Sequence, residues 1–228
     1  LQLPWSNTKA QRSAKEMFQR IWDFNFLPPG RGLQNCRAEV INIKGAMPLY
    51  NCAVVTTADL QKNFSGPFAT AADELLMGVG VGFDTKGAGC FSFVAPKHSE
   101  TPCVIEDSRE GWVKAIKTVL DAYVDIGTIP IFDYSLIRPK GSPIKTMGGI
   151  APGPQPLVEG VTALQEILDK KIGKSIQSST IVDLFNIIGK CVVSGGNRRS
   201  AELALGDPFD TEFFDLKDEE KYPEECKS

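Results

Sequence analysis

The sequence predicts an α/β fold, and three observations carry that expectation. Segments with apolar residues at helical spacing alternate with short runs of β-branched and aromatic residues. Glycine- and proline-rich stretches separate most of these segments. The chain has 228 residues, 42% of them hydrophobic, and a net charge of -3, which suits one globular domain or a large part of one.

Taken in order, residues 9–25 place Met17, Phe18, Ile21, Trp22 and Phe24 at helical spacing and predict a helix. "FLPPGRGLQN" follows, and its prolines and glycines predict a break with no regular element. "MPLYNCAVV" reads as one buried strand, since it is short and ends in β-branched residues. Residues 68–77 read as a helix running into "GVGVGFD", a glycine loop that lets the backbone be approached closely. Residues 85–106 carry little pattern and predict an irregular connection.

In "DSREGWVKAIKTVLDAYVDIG", Asp107 or Ser108 is the N-cap and Glu110 lies in the first turn. Trp112, Ile116, Val119 and Tyr123 form the apolar stripe, and Gly127 ends the helix. "IPIFDYSLI" is a strand, and "RPKGSPIKTMGGIAPGPQP" is too broken to be either element. Helices follow over residues 156–170 and 179–193, the first with proline early in its turn. "SAELALG" is a strand and "DTEFFDLKDEE" a short acidic helix.

The balance of 25 basic and 28 acidic residues leaves no basic field and argues against general nucleic-acid binding. No run of about 18 apolar residues predicts a membrane span. "LQLPWSNTKA" lacks the pattern of a signal peptide, which with the cysteine usage places the protein in the cytoplasm. Leu1 in place of Met suggests a fragment or processed product. The cysteines, Cys36, Cys52, Cys90, Cys103, Cys191 and Cys226, form no Cys-x-x-Cys pair, and His98 is the single histidine. No metal site is expected; a cysteine with special chemistry here would be a redox residue.

Three glycine-rich stretches adjoin predicted helices: "GVGVGFD", "GGIAPGP" and "SGGNRRS". Glycines let backbone N–H groups face an anion, a helix start adds favourable partial charge, and Arg198 and Arg199 offer guanidinium forks. Glycines also simply make turns, and that reading stays open. Neither the P-loop nor the dinucleotide fingerprint is matched: no Lys–Ser/Thr follows "GGIAPGP", and "GVGVGF" follows a predicted helix rather than a strand. The residues alone lead to a candidate nucleotide binder.

"FLPPGRGL", "LYNCAVV", "GVGVGFD", "DSREGW", "FDYSLIRPKGSPIKTMGGIAPGPQPL" and "NIIGKCVVSGGNRRSAELALGDP" occur in that order. Together they resemble the N-terminal half of the catalytic chain of adenosylcobalamin-dependent (class II) ribonucleotide reductases, over about residues 17–217. The class I large subunit is similar but more distant. The resemblance implies the first half of a ten-stranded α/β barrel built from two five-stranded parallel halves. Residues 1–30 would be an N-terminal helical segment, and residues 31–228 the half-barrel with its substrate and effector loops.

The implied reaction replaces the ribose 2′-hydroxyl of a ribonucleotide with hydrogen. A cysteine thiyl radical removes the 3′-hydrogen, and two further cysteines supply electrons and become a disulfide. Cys52 matches the first of those two. Pro29, Gly30, Arg31, Asn51, Gly80 and Gly82 match segments lining the substrate site. Gly195, Gly196, Asn197, Arg198 and Arg199 match the specificity loop between substrate base and allosteric nucleotide. Lys145, Gly148, Gly149 and Gly153 match the neighbouring effector loop.

The implied cofactor is adenosylcobalamin, with no contacts assignable here. The implied partners are a ribonucleoside di- or triphosphate, a deoxynucleotide or ATP effector, a thioredoxin-like reductant and the other half of the chain. No Asn-x-Cys-Gly-Glu segment is present, so the radical cysteine, the second reducing cysteine and the catalytic glutamate are missing, and the 228 residues alone are expected to be inactive. The connection between "GVGFD" and "DSREGW" is short where monomeric members carry a long insertion, which implies an effector site at a homodimer interface. A class I large subunit and a nucleotide-binding fragment without chemistry remain the alternatives.

Overall fold

A computed structural model describes residues 6–35, 41–42, 45–124, 127–144, 149–193, 201–218 and 220. The chain divides into two compact units, residues 1–49 and 50–228.

In the first unit, helix α1 (Asn7–Trp22) starts at Ser6, whose hydroxyl accepts from the Lys9 N–H at 3.5 Å. Arg20 pairs with Glu16 at 2.7 Å, one turn away, and the Phe18 and Trp22 rings stack at 5.9 Å. Helix α2 (Gly30–Asn35) lies where a break was expected. The prolines before it mark its start rather than forbid it: the Pro29 carbonyl accepts from the Leu33 N–H at 3.2 Å. A single 3₁₀ turn (Met47–Leu49) closes the unit.

The second unit is α/β with parallel strands. In chain order its elements are β1 (Cys52–Val55), α3 (Ser65–Leu76), β2 (Gly80–Asp84), β3 (Lys97–Val104), α4 (Arg109–Ala122), β4 (Thr128–Asp133), α5 (Gln155–Lys171), α6 (Ser178–Val193), β5 (Glu202–Leu205) and α7 (Thr211–Asp215). One sheet runs β1-β2-β5 with every pair parallel; β3 and β4 form a second parallel pair.

Three expectations need correction. "MPLYNCAVV" is a 3₁₀ turn followed by a strand that begins only at Cys52. "GVGVGFD" is not a loop: Gly80–Asp84 is the central strand, with Val81 and Phe83 buried at alternate positions. The glycines on its other face masked that alternation. Residues 85–106 contain β3, whose polar sequence hid it because most of its side chains face solvent, and whose register against β4 slips between His98 and Pro102.

Helices α4, α5 and α6 follow the apolar periodicity closely. Ser108 is the cap of α4, its hydroxyl accepting from the Gly111 N–H at 2.9 Å. The core lies between helices and one face of the β1-β2-β5 sheet. There the Phe83 and Phe185 rings stack at 3.9 Å, Phe68 meets Phe185 at 4.6 Å, and Val55 and Val81 pack alongside. A second aromatic group, Phe64, Phe91 and Phe93, meets edge to face. Asp210 caps α7 through the Glu212 and Phe213 N–H groups and also accepts from the Ser178 hydroxyl, while Glu212 accepts from Ser179. These bonds fasten the segment after β5 to the start of α6.

Candidate active site

The two faces of the β1-β2-β5 sheet differ sharply. Register pairs Cys52 with Gly80, Val54 with Gly82, Gly82 with Leu203 and Asp84 with Leu205, so these residues share one face. Among the described residues that face is uncovered: Cys52 is exposed, and Val54 and Leu203 are 75% and 63% exposed. The opposite face carries Val55, Val81 and Phe83 into the helix-covered core. Cys52 therefore opens β1 on the free face. Asn51 precedes it and accepts the Gly80 N–H through its carbonyl at 2.9 Å.

Gly80 and Gly82 stand beside Cys52 and Val54 on that face. A Cβ at Gly80 would meet its nearest atom, the Ala201 carbonyl, at 3.5 Å, and one at Gly82 would meet Val54 Cγ2 at 3.5 Å. Both are ordinary contacts. Glycine inside a strand costs roughly 0.5–1 kcal/mol relative to alanine. Packing within the described chain demands neither glycine, so the bare backbone is space left above the sheet.

At the carboxyl end of the sheet, Asp84 gathers the chain around its carboxylate. Its Oδ1 accepts from the Thr57 N–H at 2.8 Å, the Thr57 hydroxyl at 2.8 Å and the Lys86 N–H at 3.3 Å; its Oδ2 accepts from the Thr56 hydroxyl at 2.7 Å. The Thr57 oxygen in turn accepts from the Gly87 N–H at 2.9 Å. Burial pushes the Asp84 pKa up, but the hydrogen bonds from Thr57, Thr56 and Lys86 outweigh it and hold the group below the ordinary aspartate value. This knot was invisible in the sequence; "VTT" and "FDT" lie 27 residues apart and nothing in either announces the other.

On the covered face of β5, Glu202 is packed so tightly on α6 that a Cβ at Gly189 would sit 2.5 Å from its carboxylate. Among the described residues its Oε1 is buried without a hydrogen-bond partner, and burial pushes its pKa up to about 7.

Of the other expected site residues, Pro29, Gly30 and Arg31 lie in the first unit, at the start of α2. Gly149 and Gly153 belong to a hairpin after β4, with an antiparallel bridge between Pro143 and Ile150. Lys145 and Gly148, and Gly195, Gly196, Asn197, Arg198 and Arg199, lie outside the described residues. Among the described residues no helix is long and apolar enough to cross a membrane.

The comparisons with known proteins agree with one another. Over 97% of its length the chain is 45% identical to a probable adenosylcobalamin-dependent ribonucleoside-triphosphate reductase of Dictyostelium discoideum, covering 32% of that protein. The adenosylcobalamin-dependent ribonucleoside-triphosphate reductase of Euglena gracilis is 43% identical over 96% of the chain, which covers 30% of it. A solved B12-dependent (class II) ribonucleotide reductase superposes with a TM-score of 0.74 and 26% identity, over 97% of this chain and 38% of that one. Along nearly its whole length the chain is similar to adenosylcobalamin-dependent ribonucleotide reductases.

It spans about a third of the length of the curated relatives it matches. Residues 91–168 match the family model for the insertion domain of B12-dependent ribonucleotide reductase. That corrects the expectation of a short connection without the insertion: the matched stretch runs through β3, α4 and β4 into α5, a βαβ unit whose strands form their own sheet. The expected homodimer rested on the missing insertion and loses its ground with it.

Proposed function

We propose that this chain is the part of an adenosylcobalamin-dependent ribonucleoside-triphosphate reductase that presents one reducing thiol to the ribose. The observation that carries the reading is Cys52 on the uncovered sheet face, beside the bare backbone of Gly80 and Gly82. A nucleotide lying flat on that face brings its 2′-oxygen against a thiol able to supply a proton and an electron. The substrate class, ribonucleoside triphosphates, follows the names of the relatives.

The chemistry balances with two thiols. Removal of the 3′-hydrogen by a thiyl radical outside this chain activates the ribose; the 2′-hydroxyl leaves as water; Cys52 and a second thiol, also outside this chain, become a disulfide. The 3′-hydrogen then returns to the ribose. A thioredoxin-like dithiol restores the pair. Adenosylcobalamin supplies the radical when bound, and the fit of this chain is to the nucleotide; none of its described residues is assigned to the corrin. Deoxynucleotides or ATP act at the hairpin carrying Gly149 and Gly153 and at the segment carrying Arg198 and Arg199, where they set substrate preference.

In the full-length reductase with adenosylcobalamin and a dithiol, Cys52→Ser should bind ribonucleoside triphosphate normally yet form no deoxynucleotide over many turnovers. Sustained product formation at the parent rate contradicts the assignment.

A further inference from the structure

Two of the segments singled out by sequence meet at one side chain. Arg138, just after β4, donates from Nε to Asp107 Oδ2 at 2.7 Å, across 31 residues of sequence, and from Nη1 to the Pro143 carbonyl at 3.5 Å. Both partners of the ion pair are about two-thirds buried.

Asp107 stands on rigid ground. Ser108 beside it caps α4, and a Cβ at Gly111 would lie 2.4 Å from the Glu106 carbonyl, so the turn has no slack. Arg138 is equally well held, because Ile137 before it is buried and donates to the Tyr134 carbonyl at 3.0 Å. Beyond Arg138 the chain forms a hairpin whose described backbone–backbone hydrogen bonds are internal, among them Gly141 N–H to Ala151, Ala151 N–H to Ser142 and Ile144 N–H to Gly149, at 3.0, 2.7 and 2.9 Å. Gly153, at φ 81°, passes so near Lys140 that a Cβ would lie 3.0 Å from its nitrogen, which closes the base. Among the described residues, Arg138 is the side chain that hydrogen-bonds both this hairpin and the start of α4.

We propose that Arg138, clamped by Asp107, is a positioning residue for the two described arms of the hairpin, residues 139–144 and 149–153, and that the pair transmits nucleotide binding at those arms to the start of α4. The second half of this inference rests on the reading of the hairpin as an effector loop. A planar guanidinium suits the task because it holds a carboxylate and a carbonyl at once in a fixed fork.

The test uses the full-length reductase carrying Arg138→Gln, Asp107→Asn, both together, and Arg138→Lys. Hydrogen exchange of residues 139–144 and 149–153 should speed up about fivefold in each single variant and no further in the double. Equilibrium binding of the four deoxynucleoside triphosphates should weaken by about fivefold for the preferred effectors, while turnover without effector stays within about twofold. Arg138→Lys, which keeps the charge but not the fork, should fall between parent and Gln. Unchanged exchange in the single variants, or effects that simply add in the double, overturn the clamp. Faster exchange with unchanged nucleotide binding keeps the clamp and overturns the effector reading of the hairpin.

Discussion

The Thr57 hydroxyl donates to Asp84 Oδ1 at 2.8 Å while the Thr57 N–H donates to the same oxygen at 2.8 Å, so one residue fills one carboxylate oxygen twice. Thr57 follows β1 and Asp84 ends β2. The pair therefore fixes the carboxyl end of the two strands whose other end presents Cys52 and Gly80.

Asp84→Asn should destabilise the chain by about 1–3 kcal/mol at pH 7, since it loses charge-assisted acceptors. The sign with pH follows from the depressed pKa: the stabilisation is present above the unfolded-state value near 3.9 and fades as pH falls through the lower folded value. Urea midpoints for parent and variant should converge below about pH 4. A gap that persists undiminished at pH 3 would count against the knot.

Glu202 behaves oppositely. Its folded pKa of about 7 lies above the unfolded value, so its stabilising protonated state is complete below about pH 4.3 and lost as pH rises through 7. Glu202→Gln should be more stable than the parent at pH 8, on the order of 1–3 kcal/mol, with little difference near pH 4. The same thermal shift at both pH values would show that the carboxylate is not buried as described.

Gly82→Ala separates packing from function. The new methyl meets nothing closer than 3.5 Å, so the chain should keep or gain about 0.5–1 kcal/mol of stability. In the full-length enzyme it should raise KM for ribonucleoside triphosphate at least about tenfold, because the space above the sheet is filled. A variant with parent kinetics would show that nothing approaches this face closely.

Much of the scaffold was legible. The stripe of Trp112, Ile116, Val119 and Tyr123, with Ser108 before it, specifies α4 by local signals, and α5 and α6 are legible for the same reason. β2 was not, because Gly80 and Gly82 contribute no side chain to reveal the period of two that Val81 and Phe83 obey. β3 was hidden by a polar sequence suited to a solvent-facing pair. Cys52 looks like any strand cysteine, and its family motif singled it out; its exposure follows from a strand pairing no local pattern encodes. Asp84 with Thr57, and Arg138 with Asp107, are contacts between distant segments, where sequence periodicity is silent.

The fate of the Cys52 thiol in one turnover tests its role as a reducing thiol most directly. Pre-reduced full-length reductase, with adenosylcobalamin, effector and ribonucleoside triphosphate but no external dithiol, is quenched with an alkylating reagent and mapped by mass spectrometry. Cys52 should be lost from the alkylated pool in proportion to deoxynucleotide formed and recovered in a disulfide. Stoichiometric deoxynucleotide with Cys52 still fully alkylated would contradict it.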